Sequence, residues 1–319
     1  MQTLIIAIGS FVLYLIAYNT YGKWLGRRIF NLSKDNVAPS EEMADGTDYV
    51  ATSKGVVFGH HFTSIAGTGP IVGPAVAVIW GWVPALLWVL FGSIFIGAVH
   101  DFGSLVISMR NRGQTVGDLA GRLVNPRVRL AFLLVLFLAL TIVLAIFGLV
   151  IAAVFRIYPA AITPCLLQIP LAIAIGVFVH KRGGNILIPS LIVLALMYLT
   201  VFFGDSTAGL ALGDYTLSLH AINETLAAWP TITWVAVLLI YSLIASVLPV
   251  WTLLQPRDYI NSLQLLSVLA LVVIGLVVAG TYGGAPLPGE TTRPALEIVA
   301  PAEPERHHRL EKRRERQKS

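Results

Sequence analysis

The sequence predicts an all-α polytopic membrane protein of about eight transmembrane helices, the second of them broken near its middle. Three observations predict it. Of 319 residues, 56% are hydrophobic and 12% charged, with a mean hydropathy of +0.78, a balance foreign to soluble domains. The apolar residues gather into runs near the ~20 residues that a helix needs to cross a bilayer. One of these runs contains GHHFTSIAGTGPIVGPA at 59–75, whose histidines, hydroxyls, glycines and prolines an unbroken spanning helix avoids.

The first run, 3–21, lacks a basic leading segment and a small-residue cleavage site, so it reads as a retained helix rather than a signal peptide. The second, 56–79, holds the break. Residues 80–83, with Trp80 and Trp82 suited to an interfacial aromatic belt, separate it from the third at 84–108. The fourth covers 130–155. The fifth and sixth, 161–179 and 186–203, are short and joined by a tight HKRGGN turn. The seventh and eighth are 231–253 and 263–281. Residues 1–281 therefore form one transmembrane domain, and the Pro-, Glu- and Arg-rich stretch 282–319 has no apolar face and is expected to be disordered.

Orientation follows from the basic residues. Lys23, Arg27, Arg28, Lys34, Lys54, Arg110, Arg112, Arg122, Arg127, Arg129, Lys181, Arg182 and Arg257 lie in loops on one side, whereas Arg156 stands on the other. The positive-inside rule puts the first group in the cytoplasm and the N-terminus outside. The basic tail after the eighth span, which carries His307 and His308, conflicts with that pattern. The basic residues read as topology signals, so the net charge of +5 implies no nucleic-acid partner. Cys165 is the single cysteine and excludes an internal disulfide. The sequon at Asn223 falls on the outer side.

Backbone polar groups in lipid must be satisfied, so a mid-membrane break implies protein or a water-filled cavity around it. Gly67 and Gly69 free the backbone and Pro70 removes a donor, which predicts two half-helices with Thr68 as N-cap of the second. The free N–H groups around residues 71–73 would face an anion, a carboxylate foremost. The carbonyls around Ser64 would face a cation or ammonium group. This makes Thr63, Ser64, Gly67, Thr68, Gly69, Pro70 and Gly73 the candidate substrate-binding residues. A packing kink is the competing reading.

His60 and His61 point about 100° apart on a helix, and spacing does not choose between them. In the third span Ser93, Gly97, Asp101, Ser104 and Ser108 recur at helical intervals and draw a small, polar stripe beside His100. An intramembrane carboxylate marks function by default, so Asp101 is a candidate proton or cation coupling group paired with a histidine of the second span; a structural pair with His100, a backbone group or a neighbouring helix is the competing reading. Pro249 is expected to kink the seventh span, with Gln255, Pro256, Arg257 and Asp258 forming a short polar connector that gates or fixes the cytoplasmic face. No metal-ligand spacing such as HExxH occurs, and no cofactor is expected.

These motifs, together with WGWVPALLWVLFGSIFIGAVHDFGSL, MRNRGQTVGDLAG and LPVWTLLQPRDYIN, resemble the N-terminal domain of the carbon starvation protein A family of bacterial inner-membrane transporters. The resemblance implies uptake of peptides, or of pyruvate with protons, when carbon is scarce, in a broken-helix fold like that of the amino acid and cation symporters. It implies a carboxylate-bearing substrate, a proton or monovalent cation, the lipid bilayer as surroundings, and no enzymatic activity. The likeness covers about residues 14–276. Family members continue into further spans, so the tail reads as a C-terminal truncation or a frameshift. A non-transporting sensor or inactive truncated paralogue, and a membrane metalloenzyme using His60, His61 and His100, are the alternative readings.

Overall fold

The computed structural model describes residues 2–33, 35–46, 49–205, 210–212, 215–284, 286 and 298. The expected disordered tail, with His307 and His308, lies outside the described residues, apart from its first few positions. Eleven helices matter here: α1 Gln2–Ile29, α2 Lys54–Ile65, α3 Thr68–Ala77, α4 Trp82–Arg110, α5 Val116–Leu123, α6 Pro126–Ile157, α7 Pro159–Lys181, α8 Leu187–Asp205, α9 Leu219–Ala227, α10 Thr231–Val247 and α11 Leu254–Tyr282. Six of them are long and apolar enough to cross a membrane, and up to eight spans result if two bent pairs each count as one. A two-stranded ladder, Leu210–Leu212 against Tyr215–Leu217, interrupts the helical pattern between α8 and α9. The protein is a multi-pass, all-α membrane protein.

The chain divides into two units. Unit 1 comprises Met1–Val50, Gly69–Arg129 and Leu269–Ser319; unit 2 comprises Ala51–Thr68 and Leu130–Val268.

In unit 1, α1 lies on α4, where the Tyr14 hydroxyl donates to the Val89 carbonyl (3.0 Å) and Phe30 meets Phe102 edge-on at 4.9 Å. The Gly92 position leaves room for the Trp88 ring, which a Cβ there would meet at 3.3 Å. Between Trp88 and Gly97 the helix widens into i→i+5 turns, a winding found often at functional positions. The Arg110 guanidinium donates to the Phe30 carbonyl. After it, Thr115 caps α5 by accepting the Asp118 N–H. Hydrogen bonds from the Thr115 hydroxyl and then from Arg129 hold the Asp118 carboxyl below its usual range.

In unit 2, Ala172, Ile175, Val193, Met197, Ala245, Leu253 and Ile260 form one apolar cluster, and Ala152, Phe155, Ile162, Ala227 and Trp234 another. Small residues at these contacts let helices approach where lipid offers no hydrophobic drive. Gly176 is the extreme case, because a Cβ there would overlap the Thr252 carbonyl and come within 2.8 Å of the Trp251 carbonyl. Gly183, at φ +63°, ends α7 with its N–H on the Val179 carbonyl (2.8 Å), which turns the chain as HKRGGN predicts. Asn223 is fully buried and its Oδ1 accepts the Thr163 N–H (3.2 Å), so the sequon serves packing.

The seventh and eighth spans differ from expectation. Leu248 is extended, as a residue preceding proline must be, so α10 stops at Val247 instead of kinking at Pro249. Helix α11 then begins at Leu254, nine residues before the expected start at 263. Pro256 stands in its first turn, where the missing N–H costs nothing. Gln255, Arg257 and Asp258 are consequently helical, and the polar connector does not exist.

Candidate functional site

The second span is interrupted as expected. Helix α2 ends at Ile65, Ala66 leaves helical geometry at φ −75°, ψ +49°, and the Gly67 N–H closes on the Ile65 carbonyl at 2.8 Å. Helix α3 starts at Thr68 itself, so Thr68 opens the helix instead of preceding it as cap; its side chain lies outside the described residues. The Thr63 hydroxyl donates to the Asp258 carbonyl (2.9 Å) and the Ser64 hydroxyl to the His60 carbonyl (2.7 Å). Both protons are therefore spent within unit 2.

In unit 1, Gly69, Pro70 and Gly73 of α3 line a groove of about 700 Å³, together with Pro74, Trp80, Trp88, Val89 and Ser93. The groove is mostly apolar. Among its lining side chains Ser93 carries a hydroxyl, which donates to the Val89 carbonyl (2.6 Å).

Unit 2 contains a polar cluster within its spans, centred on Asp258. Asp258 in α11 is buried, and its Oδ1 accepts both the Nε (3.0 Å) and the Nη2 (2.9 Å) of Arg257. Its Oδ2 lies 2.8 Å from Nδ1 of His60 in α2. That contact is at ion-pair distance without hydrogen-bond alignment, and Nδ1 is buried without an aligned partner. Arg257 Nη1 donates to the Tyr241 hydroxyl of α10 at 3.0 Å. From α7, Gln168 Nε2 donates to Asn261 Oδ1 (2.6 Å) and reaches the Arg257 carbonyl (3.3 Å). A glycine at 59 permits the close approach of α2 to α11: a Cβ would stand 2.7 Å from the Ser262 hydroxyl.

The structure thus chooses between the adjacent histidines. His60 meets a carboxylate, and His61 is exposed. Asp101 is paired with its neighbour His100 (2.9 Å), both exposed in unit 1, while the second-span histidine has Asp258 for its partner. Gln168, Tyr241 and Asn261 were not expected. Gln168, a lone amide between apolar residues of the fifth span, carried the one signal that could have found the cluster. Among the described residues, no three His, Cys, Asp or Glu side chains gather as a metal site requires.

Six to eight apolar helices, one bent pair of them interrupted between Ile65 and Gly69, define the chain as a multi-pass helical membrane protein. The chain is a member of the carbon starvation protein CstA family, whose model matches residues 2–288. It is 34% identical over 275 residues to Peptide transporter CstA of Mycobacterium tuberculosis (strain CDC 1551 / Oshkosh), covering 86% of this chain and 35% of that protein. Peptide transporter CstA of Bacillus subtilis (strain 168) is 34% identical over 278 residues, with 87% and 44% covered. Pyruvate/proton symporter BtsT of Escherichia coli (strain K12) is 31% identical over 274 residues, with 86% and 37% covered. The chain thus spans less than half the length of these relatives. No solved structure matches it significantly.

Proposed function

We propose that this chain serves secondary active transport of a carboxylate-bearing solute, a peptide or a small acid such as pyruvate, coupled to protons or another monovalent cation during carbon starvation. The observation that carries this reading is the interrupted second span, whose second half opens its first turn onto the groove lined by Gly69, Pro70 and Gly73. Free N–H groups at a helix start favour a carboxylate, and apolar walls suit the rest of such a solute. The relatives named for peptide transport and for pyruvate/proton symport support the substrate class. His60, His61, His100 and Asp101 are the coupling candidates. The Pro249 break and the Arg257–Asp258 pair are the candidate gate. In this reading the protein sits in a bacterial inner membrane with its N-terminus outside and performs no enzymatic reaction.

Uptake of labelled pyruvate and of a labelled dipeptide by vesicles carrying this chain tests the proposal. An acid-outside gradient is expected to drive accumulation of at least one of them, and a protonophore to abolish it. Binding without accumulation would replace transport with a sensor role.

A further inference from the structure

We propose that His60 and Asp258 together form a proton-binding site inside unit 2, with Arg257 as the residue that positions the carboxylate. The inference deepens the transport reading and rests on it for its purpose, though the site itself follows from the geometry.

His60 Nδ1 and Asp258 Oδ2 are 2.8 Å apart. Both atoms carry lone pairs when deprotonated, so a separation this short requires a proton on one of them. Neither settles it, since the ring is turned so that an Nδ1–H does not point at Oδ2. Asp258 cannot turn to improve the contact: Oδ1 is held by two nitrogens of Arg257, and Arg257 is held by Tyr241. The carboxylate side chain is 6% exposed, whereas the His60 side chain is 38% exposed with Nδ1 buried. The imidazole therefore has one nitrogen facing the carboxylate and its accessible edge elsewhere. That arrangement leaves Nε2 as the nitrogen at which a proton can arrive, and a turn of the ring would then aim Nδ1–H at Oδ2.

The groups that act on His60 from the packed elements are Asp258 and Arg257 of α11, Tyr241 of α10 and Tyr259 against Gly59. Cys165 of α7 lies within electrostatic reach of Arg257. With His60 neutral the three-residue group is neutral overall, and with His60 protonated it carries +1. A bound monocarboxylate would cancel that charge, which gives symport a reason to load both together.

The test is an equilibrium titration of the full chain in lipid nanodiscs, without solute or gradient. Histidine ring nitrogens are followed by NMR with pH, His60 being assigned by the signal lost in His60→Gln. The expected result is that the His60 ring signal changes with pH and that Asp258→Asn moves the midpoint of that change. Infrared spectra of the unmodified protein across that midpoint should show a perturbed carboxylate band that His60→Gln abolishes, which keeps the test decisive if Asp258→Asn does not fold. An unchanged midpoint in folded Asp258→Asn, or no carboxylate perturbation in the unmodified protein, overturns the proposal. Transport plays no part in this readout. Loss of uptake with an intact titration defeats the transport reading alone, and uptake without the titration moves coupling to another carrier.

Discussion

Asp258→Ala is expected to destabilise unit 2 by about 1–3 kcal/mol, because it leaves the half-buried Arg257 guanidinium with the Tyr241 hydroxyl as its remaining side-chain partner. The same change strips His60 of its carboxylate and opens a void at the contact of α2 with α11. Replacing both charges removes the orphan: Arg257→Met with Asp258→Leu should regain most of the loss, since apolar pairs of similar volume often match buried ion pairs. Thermal unfolding of the purified variants in lipid checks this. A single variant as stable as the unchanged protein would show that the pair is solvated and not structural.

Gly176→Ala is expected to be nearly as damaging. The added methyl would meet the backbone carbonyls of Trp251 and Thr252, which a rotamer change cannot relieve. Those carbonyls belong to the turn that separates α10 from α11, so the helix that carries Arg257 and Asp258 would have to shift. Overpacking of this kind costs about 1–3 kcal/mol or more. Gly275→Ala in α11, where a Cβ meets nothing within 4 Å, is the control and should be neutral or slightly stabilising. The melting temperatures of the two variants decide the matter; equal values would mean that the turn yields freely.

The spans were legible in the sequence because a 20-residue apolar run has few alternatives, and the break was legible because Gly67, Gly69 and Pro70 conflict with a continuous helix. The ends of the seventh and eighth spans were not. Pro256 reads as a helix breaker, yet in a first turn it is a helix starter, and that one ambiguity turned the start of α11 into a polar connector. The ionic cluster was hidden for another reason. His60 and Asp258 stand in helices far apart along the chain, and helical spacing alone could not prefer His60 over His61. Asp101, the carboxylate that composition singled out, pairs only with its neighbour His100 among the contacts described. Depth along a helix identified a charged residue, while the carboxylate that meets a second-span histidine depended on which helix packs against which.

Proton counting is the most direct test of the central claim that this buried pair couples solute movement to protons. In proteoliposomes carrying the full chain, addition of the transported acid or dipeptide should alkalinise the outer medium as protons enter with it. His60→Gln is predicted to abolish this alkalinisation while leaving exchange of labelled for unlabelled solute across the membrane. Alkalinisation by His60→Gln equal to that of the unchanged protein would contradict the account.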